Sequence, residues 1–395
     1  MKYVIIGGAG AMGQIAVRDL VEFADKSDEI VVADYDFEKA KSKVAAFGNR
    51  VSAIQINVTD LIKAKKALEG TFVVINCVQY HLNIDVMRAA LAVKAHYIDL
   101  GGLFHMTRKQ LELNEDFKAA NRIAILGMGA APGITNILSR MAVDQLDSVQ
   151  EIHTRVAGSD QSKYKDVPAL PLSYSLQTIL EEFSMPPAVF TKGAFIFAEP
   201  MSGMVPLKFP PPLGVKKPMF TIHSEVATLP LTFAAKGVKE VSFKIAFDTE
   251  FLDRVRFLRD LGLASHELVK IGHASVAPIE LVNKIAMAQK QAKLVGKLNQ
   301  HEIVRAIVKG TIKKKKVTLI LDCHTKGLPK WGFGTDVNTG CPPAVAALML
   351  AKGEITGIGT LAPEVAVPPD AFFKHLKKRQ FWVTQTKKTG WGLKT

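Results

Sequence analysis

Over the first third of the chain, apolar and β-branched residues gather in short runs: 3–7 (YVIIG), 29–34 (EIVVAD), 51–56 (VSAIQI), 72–76 (FVVIN), 95–100 (AHYIDL) and 123–127 (IAILG). Amphipathic stretches separate them at 11–25, 37–48, 60–69, 83–93 and 106–121. In the last, Leu111, Phe117 and Ala120 recur at helical offsets among charged residues. Apolar strands alternating with helices need cover on both faces. The pattern predicts an α/β fold whose N-terminal part is a doubly wound parallel sheet.

Beyond about residue 150 the texture changes. Half-polar strands are expected at 151–157, 220–226, 241–247 and 317–323, and helices near 250–260, 276–296 and 301–308. Between them lies a proline-dense region (Pro186, Pro187, Pro200, Pro206, Pro210 to Pro212, Pro218), which cannot run through a sheet interior. This predicts a second, α+β domain containing a mostly antiparallel sheet. The tail returns to helix at "PPAVAALMLAKGEI" and ends in a basic "FFKHLKKRQFWV". The expected division is 1–135 for the first domain, 136–335 for the second, and 336–395 for a C-terminal segment packing back on the first.

Composition narrows the class. At 395 residues, 48% hydrophobic and 22% charged, the chain reads as a soluble globular protein with more than one core. No apolar run reaches the roughly 18 residues of a membrane helix. A strand pattern starts at Lys2, so no secretory signal is expected. Cys77, Cys323 and Cys341 are odd in number and lack C-x-x-C spacing, which fits a reducing cytoplasm and indicates neither disulfides nor zinc. The formal charge of +14 is spread along the chain. Its one dense run, Lys313 to Lys316, reads as a solvated turn between two strands. A nucleic-acid-binding protein would gather that charge on one face with aromatic partners, and neither nucleic acid nor membrane is an expected partner.

The first strand runs into Gly8-Ala9-Gly10-Ala11-Met12-Gly13, a G-x-G-x-x-G match followed by a helical pattern. Gly8 serves the tight turn, Gly10 lets backbone approach a pyrophosphate, and Gly13 allows close helix–strand packing. The second strand ends in Asp34, 21 residues beyond Gly13, placed to bind the adenosine ribose hydroxyls. These features define an N-terminal Rossmann domain for a nicotinamide dinucleotide. A free carboxylate there repels a 2′-phosphate, favouring NAD, while Lys39 and Lys41 keep NADP open. Cys77 and Val78, at the end of the fourth strand, are expected along the cofactor. Tyr80 and His81 follow and line either the pocket or a surface loop.

The stretch 97–139 is more specific. Asp99 ends the fifth strand before Gly101-Gly102, and "GMGAAPGITN" follows the sixth, with Gly127, Gly129 and Pro132-Gly133 before a helix. With the N-terminal glycines and "IHSEVATLP" (222–230), this resembles the saccharopine dehydrogenase family, over essentially the whole chain. The resemblance implies a nicotinamide-binding domain, an inserted α+β domain and a homodimer. It also implies hydride transfer at a carbon bearing an amine (CH–NH or CH–NH2) of a small amino-acid substrate. Lysine 6-dehydrogenase-like members are nearest in the 173–193 segment, beside saccharopine dehydrogenase-like ones, with a carboxynorspermidine-type enzyme as an alternative.

Removing hydride from an amine carbon requires the amine to be neutral, hence a nearby base or a dry pocket. Asp99 either orients the amine or a water, or caps the glycine turn after it. Gly101 and Pro132 are expected beside the cofactor. His223 and Glu225, two apart on an expected strand, share a face and form an acid–base pair, hold the substrate's ammonium, or make a surface ion pair. Arg155 and Tyr174 are candidate contacts to a substrate carboxylate. The remaining histidines show no metal spacing, and the chemistry needs no metal. A non-catalytic dinucleotide-binding regulator would keep the glycines and Asp34 but lack converging polar groups in a closed crevice.

Overall fold

Tyr3, Val4, Ile5 and Ile6 are all buried, as a strand covered on both faces must be. The computed structural model describes every residue except 173, 291 and 392–395. Six strands alternate with helices: β1 Lys2–Ile6, α1 Ala11–Phe23, β2 Glu29–Asp34, α2 Phe37–Val44, β3 Val51–Gln55, α3 Leu61–Ala67, β4 Val73–Asn76, α4 Asn83–Ala92, β5 His96–Asp99, α5 Leu103–Leu111, α6 Asn114–Ala119 and β6 Ile123–Ile125. The 106–121 stretch is thus two helices, broken around residue 112. All pairings in this sheet are parallel. The chain builds outward from β1 through β2 to β3, then crosses back to β4 on the other side of β1. The crevice between β1 and β4 is the switch point where such sheets bind ligands.

Helix α7 (Ile134–Val143) leads into the second domain. Its main strands are β7 Ser148–Asp160, β8 Ala188–Thr191, β9 Ala194–Phe197, β10 Glu240–Ala246, β11 Gln300–Ile312 and β12 Lys315–Thr325. They order as β9-β8-β10-β7-β11-β12, parallel only where β10 meets β7. Helices α8 (Leu176–Ser184), α9 (Glu225–Thr232), α10 (Thr249–Asp260) and α11 (Pro278–Met287) complete it.

Three expectations fail here. Residues 301–308 form the middle of β11, because "HEIVRAIV" also alternates: Val304, Ala306 and Val308 face one side, Ile303, Arg305 and Ile307 the other. Neighbours on both sides of the strand decide the tie. The 276–296 helix stops at Met287, and 293–295 pair with 163–165 in a short ribbon. Residues 220–226 are no strand; the segment is irregular up to Ser224, the residue that caps α9. The lysine run does form a turn, with Lys313 and Lys314 both at positive φ between β11 and β12.

The C-terminal segment divides. Helix α12 (Val337–Ala351) is buried nearly all round and lies on α1. A Cβ on Gly340 would sit 2.4 Å from Ile15, so only glycine permits that crossing. Strand β13 (Gly359–Leu361) extends the first sheet beside β6, and α13 (Pro369–Lys377) leads to Arg379, which pairs with Asp19 of α1. Strand β14 (Trp382–Thr389) instead joins the second sheet beside β12. No helix among the described residues is long and apolar enough to cross a membrane.

Candidate active site

The loop between β1 and α1 is shaped for close approach. Gly10 caps α1 without a side-chain bond, and the first turn, from Ala11 through Met12, carries no acid. The helix therefore offers free N–H groups and its positive dipole end. A Cβ at Gly13 would lie 2.3 Å from the Gly7 carbonyl oxygen, so helix and loop interlock only with glycine there. Asp34 accepts from the Ala9 N–H at 3.2 Å and from the Asp36 N–H at 3.2 Å. Its half-buried carboxylate thus stands at the tip of β2 beside Gly8 and Gly10. Val78 packs on Gly7, and the Cys77 N–H donates to Ile6 at 2.8 Å. Burial pushes the Cys77 thiol up to about 12, so it is no nucleophile. These residues fit a dinucleotide: its pyrophosphate over the bare helix end, its ribose at Asp34.

Asp99 is wholly buried and fully engaged. Its oxygens accept from Tyr97 Oη (2.9 Å), Gln110 Nε2 (2.5 Å), Gly101 N (2.9 Å) and Gly127 N (2.6 Å). Burial pushes its carboxyl up, against those four donors. The residue fastens the Gly101 and Gly127 loops together, with Pro132 wedged between them. Of its two expected roles the geometry matches the capping one.

Ser224 carries the second domain onto this edge. Its hydroxyl accepts from the Gly102 N–H at 3.2 Å and donates to the Leu103 carbonyl at 3.1 Å. That fixes His223 and Glu225 above the carboxyl ends of β5 and β6. They meet across the start of α9 rather than along a strand: His223 Nδ1 and Glu225 Oε2 are 2.5 Å apart. Thr135 donates to Glu225 Oε1 at 2.8 Å, and the imidazole stacks on Phe243 at 3.7 Å. Glu225 is 0% exposed, so the pair is no surface ion pair. Burial alone would lower His223, but the Glu225 carboxylate, its hydrogen bond and Glu182 raise it above the ordinary imidazole value.

Glu182 of α8 was not anticipated from the pattern. Tyr174 Oη donates to it at 2.9 Å, and burial pushes its carboxyl up to about 7, against the charge of His223. Glu302 of β11 is similarly pushed by burial to about 8, and accepts from Asn338 at the start of α12. The visible sign was "LEEF", two acids inside an otherwise apolar helical stretch. Tyr174 therefore contacts a protein carboxyl rather than lying open for a substrate carboxylate.

Arg155 is elsewhere. Strand parity puts it beside Lys244 and Arg305, on the face of the second sheet opposite Phe243 and His223. It is 1% exposed and donates to the Thr154 and Ser242 carbonyls and the Ser242 hydroxyl. It cannot reach a substrate held by His223. Tyr80 lines a cavity of about 570 Å³ with residues of α8 and α11, and neither His223 nor the glycine loop borders it.

A parallel dinucleotide fold with a proton-holding cluster over its strand ends defines an NAD(P)-dependent oxidoreductase. Residues 3–125 match the saccharopine dehydrogenase NADP-binding domain and residues 129–381 the saccharopine dehydrogenase C-terminal domain. The chain belongs to the saccharopine dehydrogenase family, whose members act on CH–NH groups. It is 20% identical to carboxyaminopropylagmatine dehydrogenase of Synechocystis sp., over 95% of each chain. It is 22% identical to carboxynorspermidine synthase of Vibrio cholerae, over 93% of each. Among solved structures, saccharopine dehydrogenase (L-Glu forming) from Saccharomyces cerevisiae shares the fold, with TM-score 0.70, 16% identity, and 98% of this chain and 99% of that one covered.

Proposed function

We propose that this enzyme interconverts an amine and an imine on an amino-acid-like or amine substrate, lysine 6-dehydrogenase-like or saccharopine dehydrogenase-like, with His223 as the group that takes and returns the proton. The observation that carries this is the His223–Glu225 pair, buried, anchored by Thr135 and set over the strand ends. Glu225 holds Nδ1 and leaves Nε2 to face substrate. A protonated substrate amine has no lone pair to drive hydride departure, so neutral His223 first removes that proton. Nicotinamide, when bound, supplies the hydride acceptor or donor. In the reducing direction His223 returns the proton to the new amine nitrogen. Glu182, near neutrality by burial, and Tyr174 support the proton inventory around it. Asp99, Gly101 and Pro132 position the loops that wall the crevice.

The reading is tested by following reduced-nicotinamide absorbance with lysine, saccharopine, diamines and their carboxyalkyl conjugates. Turnover of at least one C–N substrate is expected; inertness toward the entire panel despite tight cofactor binding would sink it.

NAD is the expected cofactor over NADP, because the Asp34 carboxylate occupies the ribose end. Asp34→Ala is expected to weaken NAD binding about ten- to a hundredfold, the range of a charge-assisted hydrogen bond. NADP should suffer much less, and fluorescence titration of both reduced cofactors checks the ratio. An unchanged ratio would remove Asp34 from the discrimination. Family likeness supports a homodimer, to be checked by light scattering, and three free cysteines support a reducing, cytoplasmic setting.

A further inference from the structure

The polar groups of α9 lie on one stripe. Glu225, Thr228 and Thr232 stand at i, i+3 and i+7, so they face one way along an otherwise apolar helix. The stripe meets α7 and the short helix Pro363–Ala366 of the C-terminal segment. Thr135, in the first turn of α7, donates to Glu225. The next residue, Asn136, accepts the Gly133 N–H at 3.1 Å, which turns its amide nitrogen the other way. That nitrogen donates to Thr228 Oγ1 at 3.4 Å and to Glu364 Oε2 at 2.8 Å. Thr232 donates to Glu364 Oε1 at 3.1 Å, and the Arg140 guanidinium donates to the Glu364 backbone carbonyl at 2.9 Å.

Glu364 is 0% exposed. Burial pushes its carboxyl up, and the donors that oppose this, its own backbone N–H, Thr228, Asn136 and Thr232, are all uncharged. A carboxyl buried without a cation is costly. An apolar side chain of similar length would remove that cost but leave Asn136 and Thr232 without their common acceptor. What the position supplies is therefore the join: one acceptor shared by a donor from α7 and a donor from α9.

We propose that Glu364 is a positioning residue for the proton-transfer pair: by binding Asn136 and Thr232 together it sets α9 against α7, and so holds Glu225 on His223 Nδ1. Its effect on the reaction rests on the reading of His223 above. Glu364 acts through the two helices, and it gives the C-terminal segment a part in the site beyond packing on the cofactor helix.

Titration of His223 by NMR in histidine-labelled, NAD-loaded protein tests this without turnover, with His223→Gln to assign the signal. Glu364→Met removes the acceptor at similar length. His223 is then expected to lose its proton about one pH unit lower, because its contact with Glu225 loosens. Glu182, the other carboxylate facing His223, is unaltered in every variant. In the same variant kcat should fall about ten- to a hundredfold, the range for a misplaced reacting group, while NAD affinity holds. Glu364→Gln still accepts from Asn136, so its His223 midpoint should stay near the native one. In a Glu225→Gln background, Glu364→Met should move His223 no further. Thr232→Val deletes one donor at equal volume and should lower the midpoint by a smaller amount. A native midpoint in Glu364→Met, or in Thr232→Val where only that variant folds, makes Glu364 a packing residue and overturns the proposal. Equal shifts in Glu364→Met and Glu364→Gln, or a shift that persists without Glu225, mean that His223 senses the Glu364 charge directly, which overturns it as well. Because the imidazole itself is read, these outcomes are separable from the role of His223 in turnover. Full activity of His223→Gln would reject that role, whereas the hold of Glu364 on the pair is decided by the midpoint.

Discussion

His223→Gln is expected to lower kcat by about a hundredfold to ten-thousandfold, the range lost when a positioned acid–base group is removed. Cofactor affinity should be nearly unchanged, because His223 touches neither the Gly8–Gly13 loop nor Asp34. Glu225 acts through His223 and is separable from it by pH. In the native protein the Glu225 charge and hydrogen bond raise His223 against burial, which alone would lower it. Glu225→Gln leaves only Glu182 to oppose burial, so His223 loses its proton at lower pH. In the oxidative direction neutral imidazole is the working form, and the acid limb of kcat/KM should move toward lower pH. Burial pushes the Glu182 carboxyl up to about 7, so Glu182→Gln is expected to remove a limb near neutrality. A Glu225→Gln profile with only its height reduced would make Glu225 a packing residue. Full activity in His223→Gln would place the proton on another group.

The N-terminal half was legible because its signals are local. Runs such as "YVII" and "VVIN" are apolar on consecutive residues, which only a doubly covered strand tolerates, and the glycine spacing belongs to one turn and one helix start. The second domain was less legible because its signals depend on neighbours. "HEIVRAIV" fits periods of both 3.6 and 2, and only flanking β7 and β12 choose strand. Arg155 shows the consequence for function: a basic residue is visible in sequence, but the face it occupies follows from register across three strands. His223 and Glu225 were found for an incorrect local reason. Spacing of two would align them on a strand, whereas their contact comes from the cap of α9. Glu181 and Glu182 were overlooked since paired acids usually mark a solvated helix face. Here α8 packs against α10 and α11, so the same dipeptide becomes two buried carboxyls.

The largest stability effect is expected far from the chemistry, at the pair that fastens the tail to the cofactor helix. Arg379 donates through Nε and Nη2 to both oxygens of Asp19, with both side chains fully buried. Its guanidinium also lies 3.8 Å over the Phe23 ring. Asp19→Ala strands a guanidinium in the core and is expected to cost about 3–5 kcal/mol, as removal of one buried partner generally does. Arg379→Met strands the carboxylate with comparable loss. Replacing both, Asp19→Leu with Arg379→Met, removes the unpaired charge and should restore much of the stability, so the two effects are strongly non-additive. Chemical denaturation of the wild type, both single variants and the double variant measures that coupling. If the losses simply add, the pair is not a unit and the tail is held by α12 packing on α1 alone. NAD should still raise the unfolding midpoint of each folded variant, since a ligand that binds only the native state stabilises it whatever its starting stability. Loss of that increment in Asp19→Ala alone would mean that the tail also sets the position of the α1 N-terminus over the pyrophosphate.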